Sequence, residues 1–208
     1  MSDAVSGRTL EMAAERPRGR PRSAQAERAI IDAVLEEAIE SGIDGLSIEQ
    51  VAIRAGVAKA TIYRRWPNKE ALVLDALGTV DEPVPTLPGT SVRDDLVVLV
   101  DGIRRRGKQN LAGRLYPCMM SAGERHPEIA AKYKKLVVER RRELIRQTLR
   151  RGVATGELRD DLDVETLLLL VCAPMLVQTY VWSPGVELPE ETSALYIDAV
   201  LEGLTPRG

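Results

Sequence analysis

The chain has 208 residues, 44% hydrophobic and 29% charged, with a formal net charge of −2. That balance fits a soluble folded chain and excludes a polyelectrolyte, so any nucleic-acid contact must come from a local patch. Two cysteines (Cys118 and Cys172), a single histidine and no signal-peptide pattern point to a reducing, cytoplasmic setting and give zinc no ligand set.

Residues 1–15 lack periodicity and read as disordered. A basic run follows from Arg16 to Arg22, with four arginines and no acid. Within it, Arg18-Gly19-Arg20-Pro21 resembles the core of an AT-hook, whose extended arm enters the narrow minor groove of A·T-rich DNA. The alternative is a basic tail with only non-specific attraction. Residues 1–22 thus form a candidate arm. Ser23 is placed to cap a first helix, whose apolar face is Ile30, Ile31, Val34, Leu35 and Ala38 and which ends at Gly42.

Ser47 followed by Gln50 forms a capping box, and Leu46 with Val51 a hydrophobic staple, so a short helix starts at Ile48. Gly56 supplies the left-handed turn that a side chain resists. A second short helix is predicted from Ala58 to Trp66, with Ile62 and Trp66 facing inward. Lys59, Ala60, Thr61, Tyr63 and Arg65 are left on the other side or at the exposed start. Pro67 stops this helix and Asn68 caps the next, with Lys69 in its first turn. Two short helices around a glycine turn, with a polar outer face on the second, form a helix-turn-helix.

After Leu77 the proline-rich run Asp81 to Ser91 cannot continue a helix and marks a predicted boundary between domains 23–80 and 81–208. A helix restarts with Leu96, Val97, Val100 and Ile103 on one face and reads as ending in a solvated Arg104-Arg105-Arg106. Another runs from about Asn110 to Ala122. Pro127 opens a long one, from Glu128 to Arg151, with Arg140 to Arg142 facing water and Gly152 as terminator. His126 reads as exposed. Asp163 caps the most apolar stretch, ending at Trp182. Its length approaches a membrane span, but Glu165, Gln178, Pro174 and absent basic flanks argue against one. A helix apolar all round is buried all round, one side in its own core and the other against a second subunit. Pro189 to Leu204 gives a last amphipathic helix. With no strand pattern, the fold class is all-α.

The segment AGVAKATIYRRWPNKEAL, from Ala55 to Leu72, resembles the signature of tetracycline-repressor (TetR) family regulators. Gly56, Val57, Thr61, Tyr63, Pro67, Asn68, Lys69 and Leu72 match, whereas Ala58, Arg65 and Trp66 depart from it. The match covers the helix-turn-helix third only. The resemblance implies that Lys59, Ala60, Tyr63 and Arg65 read base edges and that Thr61, Tyr63 and Lys69 grip phosphates. Ser47 is expected to add a backbone amide. It also implies a double-stranded DNA operator, a homodimer through the last two long helices and a small-molecule effector. Tyr116, Met119, Met120, Met175, Gln178, Thr179 and Trp182 are the candidate ligand contacts, each with plain core as the alternative. No phosphate loop, nucleophile–base grouping or metal cluster supports an enzyme, and no cofactor is implied. An architectural DNA binder using the arginine arm is the rival reading, but it leaves the hundred-odd residues after Asp81 without a role.

Overall fold

The first helix starts earlier than its capping signal suggests. In the structure, a computed structural model describing residues 20–80 and 83–204, α1 spans Arg20–Gly45 and Ser23 lies inside it. Pro21 is tolerated because a first-turn residue needs no amide partner. Arg20 therefore belongs to helical backbone and not to an extended arm, while Arg18 lies outside the described residues. Gly42, at φ 70°, breaks the helical path near the predicted end of α1.

Then follow α2 (Ile48–Ala55), α3 (Lys59–Tyr63) and α4 (Lys69–Leu77). Gly56 takes φ 65°, ψ 34°, and its amide and that of Val57 close the end of α2. Asn68 caps α4 by accepting the Ala71 amide at 2.8 Å. Ser47 sits at the N-cap of α2 in extended geometry, but its side chain makes no capping bond, so the predicted box is not formed. The staple residues Leu46 and Val51 are both buried.

Beyond the connector come α5 (Val92–Gln109), α6 (Leu111–Ser121), α7 (Pro127–Tyr133), α8 (Glu139–Thr155), α9 (Val164–Val177) and α10 (Thr192–Leu204). A π turn at Lys134–Val138 joins α7 to α8, and another at Gln178–Trp182 extends α9. All regular structure among the described residues is helical. Gly152 does not terminate α8. It is buried inside that helix, where a Cβ would come within 2.8 Å of Leu158 Cδ1, and Gly156 (φ 76°) ends the helix instead.

Packing does not follow the connector. One core joins Val34, Val51, Ile62 and Leu72 of α1–α4 to Leu115 of α6 and Ile129 of α7. The other joins Leu96 of α5, Leu149 of α8, Val171 of α9 and Ile197 of α10. Each fully buried Leu, Ile or Val contributes about 1.5–3 kcal/mol, so α6 and α7 share in stabilising the core that holds the helix-turn-helix. Arg114 of α6 adds a forked pair to Glu36 of α1, at 2.9 and 2.6 Å. His126 is largely enclosed at the same junction, between Asp44 (3.0 Å) and Glu70 (3.3 Å), and is not the exposed residue predicted.

Candidate functional site

α3 is built to show one face. Ile62 is buried, and Trp66 just beyond the helix is buried with its indole N–H donating to Asp75 at 2.9 Å. That bond requires the tryptophan that stands at this position. Lys59, Ala60, Tyr63 and Arg64 are exposed, and Thr61 is half-buried. Tyr63 is 53% exposed on this face. Lys59 reaches back to Glu49 of α2 at 3.0 Å, an exposed pair that stronger anions can replace at little cost.

Two residues expected to touch DNA are otherwise engaged. Arg65 points toward α1, where it donates to Glu27 Oε2 at 2.9 Å and to the carbonyl and hydroxyl of Ser23 at 3.0 and 2.5 Å. Its guanidinium also lies 5.9 Å from the Trp66 ring centroid. Arg65 thus fastens the end of α3, and Arg64, which the sequence reading passed over, joins Lys59 as an exposed cation on the outer face. The helix runs only from Lys59 to Tyr63, so a helical projection carried to Arg65 misplaces it. Lys69 donates to the carbonyls of Ile43 and Asp44 at 2.9 and 3.1 Å, compensating the negative end of α1.

The second feature is a cavity of about 420 Å³ at the seam between the two cores. α6 contributes Tyr116 and Met120, α9 contributes an apolar wall including Leu168, Cys172 and Leu176, and both π turns reach the cavity, through Lys134 and Tyr180. Such turns widen a helix locally and occur mostly at functional positions. Tyr116 and Tyr180 stack across the seam with centroids 4.5 Å apart.

Of the predicted ligand contacts, Tyr116 and Met120 line this cavity. Met119 and Met175 are fully buried in the two cores, and Thr179 is buried too. Gln178 donates to Ser183 at 2.9 Å. Trp182 is 74% exposed and lines a separate outer groove with Leu169, Leu170 and Tyr196. An apolar side chain in a sequence window does not reveal which side of its helix is hollow.

The opposite error concerns the basic residues. Arg106, Arg141 and Arg142, assigned to solvent, line the cavity, and Arg141 is only 8% exposed. Arg104, also read as solvated, bonds Asp101 at 2.6 Å and the Leu188 carbonyl at 2.8 Å. The π turn explains the misplacement: it inserts one residue, about 100° of rotation, before Arg140 to Arg142. The buried stripe accordingly runs Ile129, Tyr133, Val137, Arg141, Ile145, Leu149, a spacing of four that an uninterrupted α-helix does not keep. Burial pushes the thiols of Cys118 and Cys172 up to about 11, which leaves both as inert thiols, although Arg142 and Arg106 pull Cys172 the other way. Among the described residues no cluster of His, Cys, Asp and Glu could hold a metal ion.

A short helix presented on a helix-turn-helix, backed by further helices with a pocket among them, is the architecture of a DNA-binding regulator. The comparisons agree. Residues 30–76 match the profile of bacterial regulatory proteins of the tetR family, and residues 88–200 match that of the tetracyclin repressor-like C-terminal domain. The chain is 31% identical over 159 residues to an uncharacterised helix-turn-helix regulator, YdeS of Bacillus subtilis, covering 76% of this chain and 80% of that one. It is 32% identical over 148 residues to the DNA-binding transcriptional repressor TetR of Mycobacteroides abscessus, covering 70% and 75%. Among solved structures, the TetR-family regulator SCO0332 superposes with a TM-score of 0.52 at 26% identity, covering 88% of this chain and all of that one. The repressor MexZ of Pseudomonas aeruginosa shares the fold, with a TM-score of 0.65 at 20% identity over 88% and 96% of the chains. The chain belongs to the TetR family; it is a helix-turn-helix transcriptional regulator and not an enzyme.

Proposed function

We propose that this regulator acts in the cytoplasm as a repressor, binds a palindromic operator as a homodimer, and leaves it when a small molecule fills the cavity. The observation that carries the reading is the cavity's position: its walls come from both cores, and one of those cores contains the helix-turn-helix. A guest that parts Tyr116 from Tyr180 moves α6, and α6 is tied to α1 by shared packing and by the Arg114–Glu36 pair. Operator affinity falls to the extent that the guest prefers the displaced arrangement. Bacillus subtilis FadR, solved in complex with stearoyl-CoA, has a similar fold and encourages the search for a guest.

Lys59, Ala60, Tyr63 and Arg64 meet base edges in this reading, with Thr61 and Ser47 on phosphates. Lys69 reaches phosphate only by giving up the α1 carbonyls. Arg18 and Arg20 are left as electrostatic support. The dimer forms on the outer face of α9 and α10, where Leu169 (57%), Val181 (66%), Trp182 (74%) and Leu195 (62%) are exposed together. A patch of this kind is suited to a two-fold, self-complementary contact. The helix continuing through the second π turn, Val164–Trp182, is long and apolar enough to cross a membrane, but its remaining face packs on α5, α8 and α10.

Selection from random duplexes tests the DNA half of this reading. The full chain should enrich an inverted repeat, bound by twice the 22.9 kDa chain mass. Enrichment of single half-sites by a monomer would overturn it.

A further inference from the structure

The cavity is divided by charge. Its α9 wall presents Leu168, Leu169, Cys172 and Leu176, whereas the opposite walls carry Arg106 of α5, Lys134 of the first π turn, and Arg141 and Arg142 of α8. No carboxylate belongs to the lining among the described residues. Glu139 lies nearby, 3.5 Å from Arg142 and 3.9 Å from Lys134, and is shared with Arg146 at 3.3 Å, which also pairs with Glu165 and Glu143. The positive field reaches the interior: burial raises the Tyr116 phenol and the Cys172 thiol, and Arg142 and Arg106 act to lower both.

A Cβ on Gly102 would stand 2.5 Å from Arg141 Nη1, so α5 leaves space for the guanidinium at this point. A cation with so little exposure is costly to desolvate. A cationic guest would add repulsion to this basic wall. An acidic guest makes charge-assisted bonds, roughly twice as strong as neutral ones, while its apolar body lies on α9.

We infer that the cavity binds an amphipathic anion of drug size, its acidic group held by the basic wall of α5, the π turn and α8 and its apolar body against Leu168, Cys172 and Leu176. This names the ligand class for the effector reading above and rests on it, although binding and release can be measured separately.

The test is a fluorescence titration of the full chain with anilinonaphthalenesulfonate and with phenylnaphthylamine, its analogue lacking the acidic group. The account predicts saturable binding of the sulfonate at one site per chain, at least tenfold tighter than the neutral dye. Arg106→Gln with Arg142→Gln should remove that preference while leaving the neutral dye's affinity in place. If the double variant does not fold, as judged by its melting curve, Arg142→Gln alone must reduce the preference several-fold. Equal affinities for the two dyes, no binding of the sulfonate, or a preference unaffected by the arginine variants would each overturn the proposal. A sulfonate that binds as predicted yet leaves operator affinity unchanged supports the ligand class and counts against the effector reading. Operator release by neutral compounds that compete for the cavity, with no preference for the anion, supports the effector reading and overturns the ligand class.

Discussion

Replacing Arg65 with alanine separates a residue that reads DNA from one that holds the reading helix in place. In the structure its side chain is 22% exposed and spans from the end of α3 to Ser23 and Glu27 of α1. The pair with Glu27, itself half exposed, contributes about 0.5 kcal/mol. The two bonds to Ser23 add about 1 kcal/mol between them after allowance for solvent, and the position against Trp66 about 0.5 kcal/mol. These shares are not independent, so the expected loss is roughly 1–2 kcal/mol, or a fall of about 2–8 °C in Tm for a chain of this size. Arg65→Lys keeps a charge for Glu27 but lacks the fork, and should recover less than half of the loss. Thermal unfolding followed by circular dichroism gives the stability, and binding to a series of operator variants gives the base preference. Arg65→Ala should weaken binding to all variants alike. An unchanged Tm together with a loss of about 1–3 kcal/mol confined to one base pair would return Arg65 to the set of base readers and refute this reasoning.

Leu169→Arg should shift the light-scattering mass from twice 22.9 kDa to that value and lower the Tm, as the stabilisation given by subunit association is lost. A persistent dimer would place the interface elsewhere. Gly102→Ala should cost little stability, because the gain in helix propensity of about 0.8–1 kcal/mol offsets the displaced guanidinium. It should still weaken sulfonate binding by moving Arg141, and unchanged binding would mean that Arg141 does not shape the site. Acidification should loosen the α5–α10 contact. The Arg93 guanidinium beside Asp198 holds that carboxyl below its ordinary value, so its contribution is present above the unfolded pKa and is lost as pH falls through the lower, folded one. Asp198→Asn should abolish this acid-dependent loosening, seen as amide exchange in α10; persistence of the effect would assign it to other carboxylates.

The helix-turn-helix was legible because its signals are local. The Gly56 turn and the Asn68 cap depend on backbone chemistry within a few residues and are found where the pattern places them, whereas α3 ends at Tyr63, short of the Trp66 end predicted from Pro67, and the Ser47 box is not formed. Signals that depend on tertiary context misled. Gly152 resembles a terminator in sequence, but it is a packing glycine beneath Leu158 and Val92. Ser23 resembles a cap, but Pro21 permits an earlier start. The cavity was the least legible part. Apolar residues such as Met119 and Met175 fill cores, whereas the residues that give the cavity its character include Arg106 of α5 and, on α8, Arg141 and Arg142, whose phase is reset by a π turn. The spacing of four from Ile129 to Leu149 is the one pattern that marks Arg141 as inward-facing.

The central claim is that cavity and DNA face share one equilibrium, and thermodynamic reciprocity tests it most directly. Operator affinity is measured by fluorescence anisotropy with and without saturating anilinonaphthalenesulfonate, and sulfonate affinity is measured with and without saturating operator. The account predicts that each weakens the other by the same factor, about 5- to 150-fold for a coupling of ordinary size. Two ligands that bind at full strength together, each indifferent to the other, would contradict it.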